Sequence, residues 1–151
     1  MGRIYAMQYL FQCDLQEEAY SAESLARFWL QTEEAGNYPD ERVFRKARTY
    51  AEKMIAGVVE HHAAITETLE RFSCKWDISR MSVVDRNIMR VAVYELQFCP
   101  DIPVLVSIDE AIEIGKEYGS EKSGNFINGI LNGVKNSLPP NSKDSRNQKN
   151  K

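Results

Sequence analysis

The side chains that could do covalent or metal chemistry are few. His61 and His62 are adjacent and are the chain's two histidines. On a helix, neighbours point about 100° apart, so this pair cannot share a metal as an i,i+4 pair can. His62 falls on an apolar stripe running Phe44, Ala47, Ala51, Met54, Val58, His62, Ile65, Leu69, Phe72 and reads as a core or edge histidine held by a hydrogen bond. Cys13, Cys74 and Cys99 lie far apart, form no C-x-x-C pair and have no histidine at ligand spacing. They read as small core residues in a reducing compartment. No Ser-His-Asp or Cys-His arrangement can be assembled, and no glycine-rich phosphate loop follows a strand. These residues point to a protein without a catalytic role, a metal or a cofactor.

Charged and glycine positions are more informative. Glu95 projects between Val84 and Ile88, inside the apolar arc of its helix (Val84, Ile88, Val91, Ala92, Leu96). A carboxylate there must be paired, hydrogen-bonded or protonated, and a buried structural ion pair is expected. Arg86 and Arg90 stand i,i+4 on the opposite face, with Arg80 upstream. Their spacing suits a solvated face or a small basic patch and does not choose between them. Near the end, "SGNFINGILNG" places Ile127, Ile130, Leu131, Val134 and Leu138 on a core face and Asn125, Asn128 and Asn132 on the far side. Gly129 and Gly133 form a strip without side chains, where another helix could approach closely. A helix-interior glycine costs about 1 kcal/mol relative to alanine, so a packing requirement is the expected reason.

The elements that must carry these positions are helical throughout. Residues 1–15 are apolar nearly all round, the pattern of a buried helix. Ser21 can cap a helix bearing Leu25, Phe28 and Trp29, and "EEAGNYPD" then interrupts it, with Pro39-Asp40 as the next start signal. The long stripe from Phe44 predicts one kinked helix or two in succession, with Gly57 the expected bend. Ser79 or Ser82 opens the next helix, and "CPDIP" ends it because prolines disfavour helix at the residues before them. Ser107 with Glu110 has capping-box spacing and launches a helix that Gly119 closes. The last helix starts near Ser120 or Ser123 and ends at Leu138. That predicts an all-α bundle of about seven helices, a single domain over residues 1–138. Residues 139–151 form a tail expected to be disordered, since "NSKDSRNQKNK" has no apolar residue.

With 151 residues the chain can bury one sizeable core. No run approaches the roughly 18 apolar residues of a membrane span, and no secretory signal opens the chain. Met-Gly at the start suggests myristoylation, but Ala6 stands where that motif wants Ser or Thr. A cytoplasmic protein is expected. Residues 1–138 hold 15 Lys+Arg against 21 Asp+Glu, and the tail reverses the sign with four basic residues against Asp144. An acidic body repels a phosphate backbone on average, so nucleic-acid binding would need a local patch or a basic partner.

Several linked motifs in the C-terminal half then resemble a known family. "RNIMRVAVYEL" followed by "DIPVLVSIDEAIEIGKEYGSEKSGNFINGIL" is similar to the bacterial transcription antitermination protein NusB family. That family has a helix ending Arg-x-Ala-x-Tyr-Glu-Leu, an Asp-x-Pro turn, a helix with Glu-Ala-x-Glu-x-x-Lys, and a helix with Phe-Val/Ile-Asn-Gly-Val/Ile-Leu. The motifs occur here in that order over residues 76–138. "RIYAMQYLFQCD" resembles the family's first helix, with Phe11 in place of the usual Tyr, while residues 16–75 match only as helices.

The resemblance implies seven helices in two packed sub-bundles and a binding module. Its expected partners are NusE, a small-subunit ribosomal protein, boxA RNA of ribosomal RNA operons, and an RNA polymerase antitermination complex. Carried over by position, it assigns Arg3, Tyr118, Lys122, Asn125 and Phe126 to the RNA side, with aromatic rings available to stack on bases. It assigns Phe11, Asp85 and Arg86 to the NusE contact. One departure matters: the family usually carries an arginine-rich segment ahead of the first helix, and this chain offers only Arg3. Either the start codon is placed late or RNA affinity rests more on the partner. Two rivals remain. One is the NusB-like domain that precedes a ribosomal RNA cytosine methyltransferase, disfavoured by the polar end at Lys151. The other is a helical adaptor that binds only protein. A homodimer covering the RNA surface is a further state within the family, and the residues leave oligomeric state open.

Overall fold

A computed structural model describes residues 1–38, 40–73 and 81–139. The described residues form seven helices and no strand, as the spacing predicts: α1 (Gly2–Gln16), α2 (Ala22–Ala35), α3 (Glu41–Glu60), α4 (His62–Ser73), α5 (Val83–Phe98), α6 (Val104–Tyr118) and α7 (Ser123–Asn136). They fall into two compact units, Met1–Glu60 and His61–Lys151. Pro39 of the expected start signal, Cys74, Ser79, Arg80 and residues 140–151 of the expected tail lie outside the described residues.

The first unit is built around aromatic rings. Ser21 caps α2 by accepting from the Ser24 backbone N–H, and Asp40 starts α3 by accepting from Val43 N–H at 2.8 Å. α1 packs chiefly on α3. Tyr5 meets Trp29 and Phe44 edge-on at 5.5 and 5.8 Å, and Tyr9 meets Phe28 at 5.6 Å. Edge-to-face contacts of this kind add to the apolar burial itself. Tyr9 is buried, and its hydroxyl lies 2.5 Å from Ser24 Oγ, a contact that satisfies this buried polar atom. Burial holds the Tyr9 phenol above its ordinary pKa, so it stays a neutral hydrogen-bonding group.

The break in the long stripe falls at His61, four residues beyond Gly57, which is buried inside α3. The restart changes which histidine packs inward. His62 is exposed, contrary to expectation, while half-buried His61 stacks on Phe98 with ring centres 3.9 Å apart. Ile65 and Leu69 continue the apolar face of α4.

In the second unit α5 is the central helix and touches α4, α6 and α7. Ser82 caps it, accepting from Asp85 N–H at 3.0 Å. Ile88, Val91, Ala92 and Leu96 are buried as expected, and so are Met89, Val93 and the uncharged amide of Asn87. Glu95 is fully buried, and Ser107 Oγ donates to its Oε2 at 3.4 Å. Ser107 is therefore not the cap of α6. Pro103, with φ −60° and ψ 140°, brings the chain in extended and α6 begins at Val104, so Ser107 lies inside the helix with its hydroxyl directed to α5.

The glycine strip on α7 divides. A Cβ on Gly133 would sit 2.9 Å from Phe72 Cδ1, so close approach by α4 is the reason for that glycine. A Cβ on Gly129 would meet nothing within 4 Å. Packing accounts for one member of the pair and not the other. Asn132 Nδ2 donates to Asn128 O at 2.8 Å on the outer face.

Replacing Glu95 with Gln keeps the shape but turns an acceptor site partly into a donor. The expected result is a loss of about 1–3 kcal/mol in a urea melt with the helical content of the folded protein unchanged. Unaltered stability would mean that the carboxylate does not anchor the α5–α6 contact.

Candidate nucleic-acid interface

The turn between α6 and α7 is shaped by two close approaches. Gly119 donates its N–H to Gly115 O at 2.9 Å, and a Cβ there would strike Ser123 Oγ and lie 2.7 Å from Gly115 O. Its φ of −98° is ordinary, so space and not conformation demands glycine. A Cβ on Gly115 would lie 2.6 Å from Ile127 Cδ1, so at that point the α7 side chain rests directly on the α6 backbone. Buried Ser123 locks the turn: its Oγ accepts from Ser120 N–H at 2.9 Å, and its own N–H donates to Ser120 O at 3.1 Å. Sequence reading named Ser123 only as a helix start. The serines flanking "EK" in "GSEKSG" were the signal for this reciprocal turn.

Four of the five residues assigned to RNA sit on this corner. Tyr118 ends α6 and is 40% exposed. Burial of its partly covered ring, with Glu117 beside it, holds its phenol above the ordinary value, so it remains a neutral donor. Lys122 and Asn125 are exposed at the start of α7. Phe126 is half-buried one turn into the helix, its N–H donating to Lys122 O at 3.0 Å. The corner offers two rings, an amide and a cation, yet Lys116 pairs with Glu113 at 3.5 Å, and Glu117 and Glu121 flank Lys122. Its charges nearly cancel. Arg3 lies in the first unit, on the first turn of α1, with its guanidinium 5.4 Å from the centre of the Tyr50 ring.

The residues assigned to a protein partner are also divided between the units. Phe11 is half-buried on α1. Asp85 and Arg86 share the first turn of α5, where Arg86 N–H donates to Ser82 O at 3.0 Å. Asp85 is only 7% exposed, and its Oδ1 has no hydrogen-bond partner among the described residues. The positive end of the α5 dipole favours a carboxylate there. Arg86 and Arg90 are both half-buried and so do not make a fully solvated face; Arg90 Nη1 donates to Asn87 Oδ1 at 3.0 Å. Among the described residues, no group of three or more His, Cys, Asp and Glu is arranged to hold a metal ion. No described helix is long and apolar enough to cross a membrane.

An all-helical fold with exposed aromatic, amide and cationic groups around a tight helix turn defines a helical binding module. Comparison with known proteins gives the particular kind. The NusB family model matches residues 2–136. The transcription antitermination protein NusB of Anaeromyxobacter dehalogenans is 43% identical over 139 residues, covering 92% of this chain and 91% of that protein. A crystal form of Thermotoga maritima NusB superposes with a TM-score of 0.79 at 38% identity, over 95% of this chain and 94% of the other. The antitermination factor NusB crystallised with NusE and double-stranded RNA gives 0.73 at 26% identity, over 91% and 95%. The chain belongs to the NusB family.

Gly119→Ala forces Ser123 or the end of α6 to move. We expect it to lower stability by about 1–3 kcal/mol in chemical denaturation, the cost of an overpacked site. A wild-type midpoint would show that the turn can yield without cost.

Proposed function

We propose that this protein is a transcription antitermination factor that works by binding, not by catalysis. It pairs with NusE, and the pair holds boxA RNA of ribosomal RNA operons within an RNA polymerase antitermination complex. Such a role belongs in the cytoplasm, beside the nascent transcript. The observation that carries the reading is the family match over residues 2–136, together with a solved relative that holds NusE and RNA.

The electrostatics support a shared rather than a solitary RNA site. The α6–α7 corner supplies stacking surfaces and an amide but no net positive charge, and residues 1–138 are acidic. A basic ribosomal partner would add the phosphate contacts that dominate affinity and its salt dependence. The buried acceptor of Asp85 beside Arg86 is suited to receive a donor from that partner.

The direct test titrates boxA RNA with and without NusE, at protein concentrations low enough that self-association does not compete. NusE should tighten binding, and RNA affinity that is weak at low salt and indifferent to NusE would overturn the proposal. Phe126→Ala should weaken RNA binding about tenfold or more while NusE affinity holds, because one stacked base contributes about 1–3 kcal/mol. An equal loss of both would make Phe126 a core residue. Since Asp85 is buried, the informative variant is Asp85→Asn, which keeps its size. It should weaken NusE association severalfold by calorimetry and leave the melting midpoint within a few degrees; unchanged NusE affinity would remove Asp85 from the contact.

A further inference from the structure

The outward face of α3 concentrates positive charge that the proposed RNA corner does not use. Phe44, Ala47, Ala51, Met54 and Val58 bury one side of the helix. Counted at about 100° per residue, the opposite side holds Arg42, Arg45, Lys46, Thr49 and Lys53. All five are exposed, and none of the four cations is ion-paired among the described residues. Arg48 stands off this arc and is committed elsewhere. Its Nε donates to Glu52 Oε1 and its Nη1 to Glu33 Oε1, both at 3.2 Å, and its guanidinium lies 5.1 Å from the Trp29 ring centre. Pairing with Arg48 also draws Glu52 away from the row, which leaves Glu41, one turn before Arg45, as the acid at its edge.

Like charges at i,i+3 and i,i+4 repel and destabilise the helix that carries them. An acidic chain that gathers four of them on one face, with no acid between them and Glu41 at their edge, presents a surface matched to a polyanion. Arg42, Arg45, Lys46 and Thr49 line an open depression of about 400 Å³. Arg45 also borders a second one of about 330 Å³, lined by Tyr38 stacked on Phe44 with ring centres 4.5 Å apart and by Glu33 and Glu41, so the row's positive field opens on the other side, toward Arg42 and Lys46. Between 42 and 53 the arc has no large apolar side chain, so it lacks the apolar or aromatic centre that a protein interface requires. Spaced guanidinium and ammonium groups along about 16 Å of helix axis suit a chain of phosphates.

We infer that the Arg42–Arg45–Lys46–Lys53 face of α3 is a second RNA-contact surface that holds the backbone of a single strand without reading its sequence. The inference rests on the antitermination reading only for the choice of RNA as the polyanion.

The test uses the full chain without NusE and an oligouridine of about 20 nucleotides, titrated over a salt series from about 50 mM upward. Each phosphate neutralised on a single strand contributes about 0.7 to the slope of log affinity against log salt. The combined variant Arg42→Gln, Arg45→Gln, Lys46→Gln should bind at least tenfold more weakly at the lowest salt, with a slope smaller by about 2. The charge-keeping pair Arg42→Lys, Arg45→Lys should retain the wild-type slope. Equal affinity and slope in wild type and Gln variant overturns the inference, as does failure of the wild type to bind oligouridine at about 50 mM salt. Polyglutamate that displaces the RNA as well as an equal charge of polyuridine also overturns it, in favour of an acidic protein partner. If oligouridine behaves as expected while NusE leaves boxA affinity unchanged, the inference stands and the antitermination reading falls.

Discussion

Much of the second unit depends on a single buried acceptor. Glu95 has no solvent exposure and lies on α5, the helix that α4, α6 and α7 all touch. A buried carboxylate is tolerated only where its oxygens are met, and Ser107 Oγ of α6 meets one of them at 3.4 Å. That contact sets the face that α6 turns to α5. The opposite requirement, no side chain at all, then operates at Gly115 and Gly119, where α7 folds back onto α6. A polar tether and a steric gap together determine where Tyr118, Lys122 and Asn125 emerge.

Helix number and most helix starts were legible because they depend on local chemistry. Ser21, Asp40 and Ser82 each accept from a backbone N–H near the start of their helices, as their types and positions announce. Errors arose where a local signal competed with a contact from another helix. Ser107 with Glu110 has the spacing of a capping box, but Pro103 starts the helix earlier and Glu95 claims the hydroxyl. His62 continued the stripe in one dimension, but a break at His61 reset the register and put the other histidine against Phe98. Gly129 and Gly133 are equivalent by spacing, and only the position of Phe72 on α4 tells them apart.

The site was legible in a different way. Spacing placed Asn125 on an outer face and Ile127 in the core, and both positions hold. Spacing did not nominate Tyr118 or Asp85; those came from resemblance. Exposure then separates the two. Tyr118 stands out at the end of α6, while Asp85 is covered, its backbone N–H tied to Ser82 Oγ. A partner could therefore meet Asp85 only through a donor that reaches into the first turn of α5.

Charge of one type takes different roles according to what stands one helical turn away. Arg48 has Glu52 at i+4 and Glu33 across on α2, and it lies over the Trp29 ring, so its charge is absorbed in holding the first unit together. Arg42 has Lys46 at i+4 and Arg45 has Thr49, so towards the C-terminus no acid on the helix compensates them, and Glu41, one turn before Arg45, borders the row on one side only. Mutual repulsion acts against such a row unless a polyanion gathers it. An acidic chain can therefore favour an anionic partner, provided its acids are paired or lie off the face that partner would meet. Net charge averages over that arrangement, which is why an acidic composition left a local patch or a basic partner as the two routes to RNA.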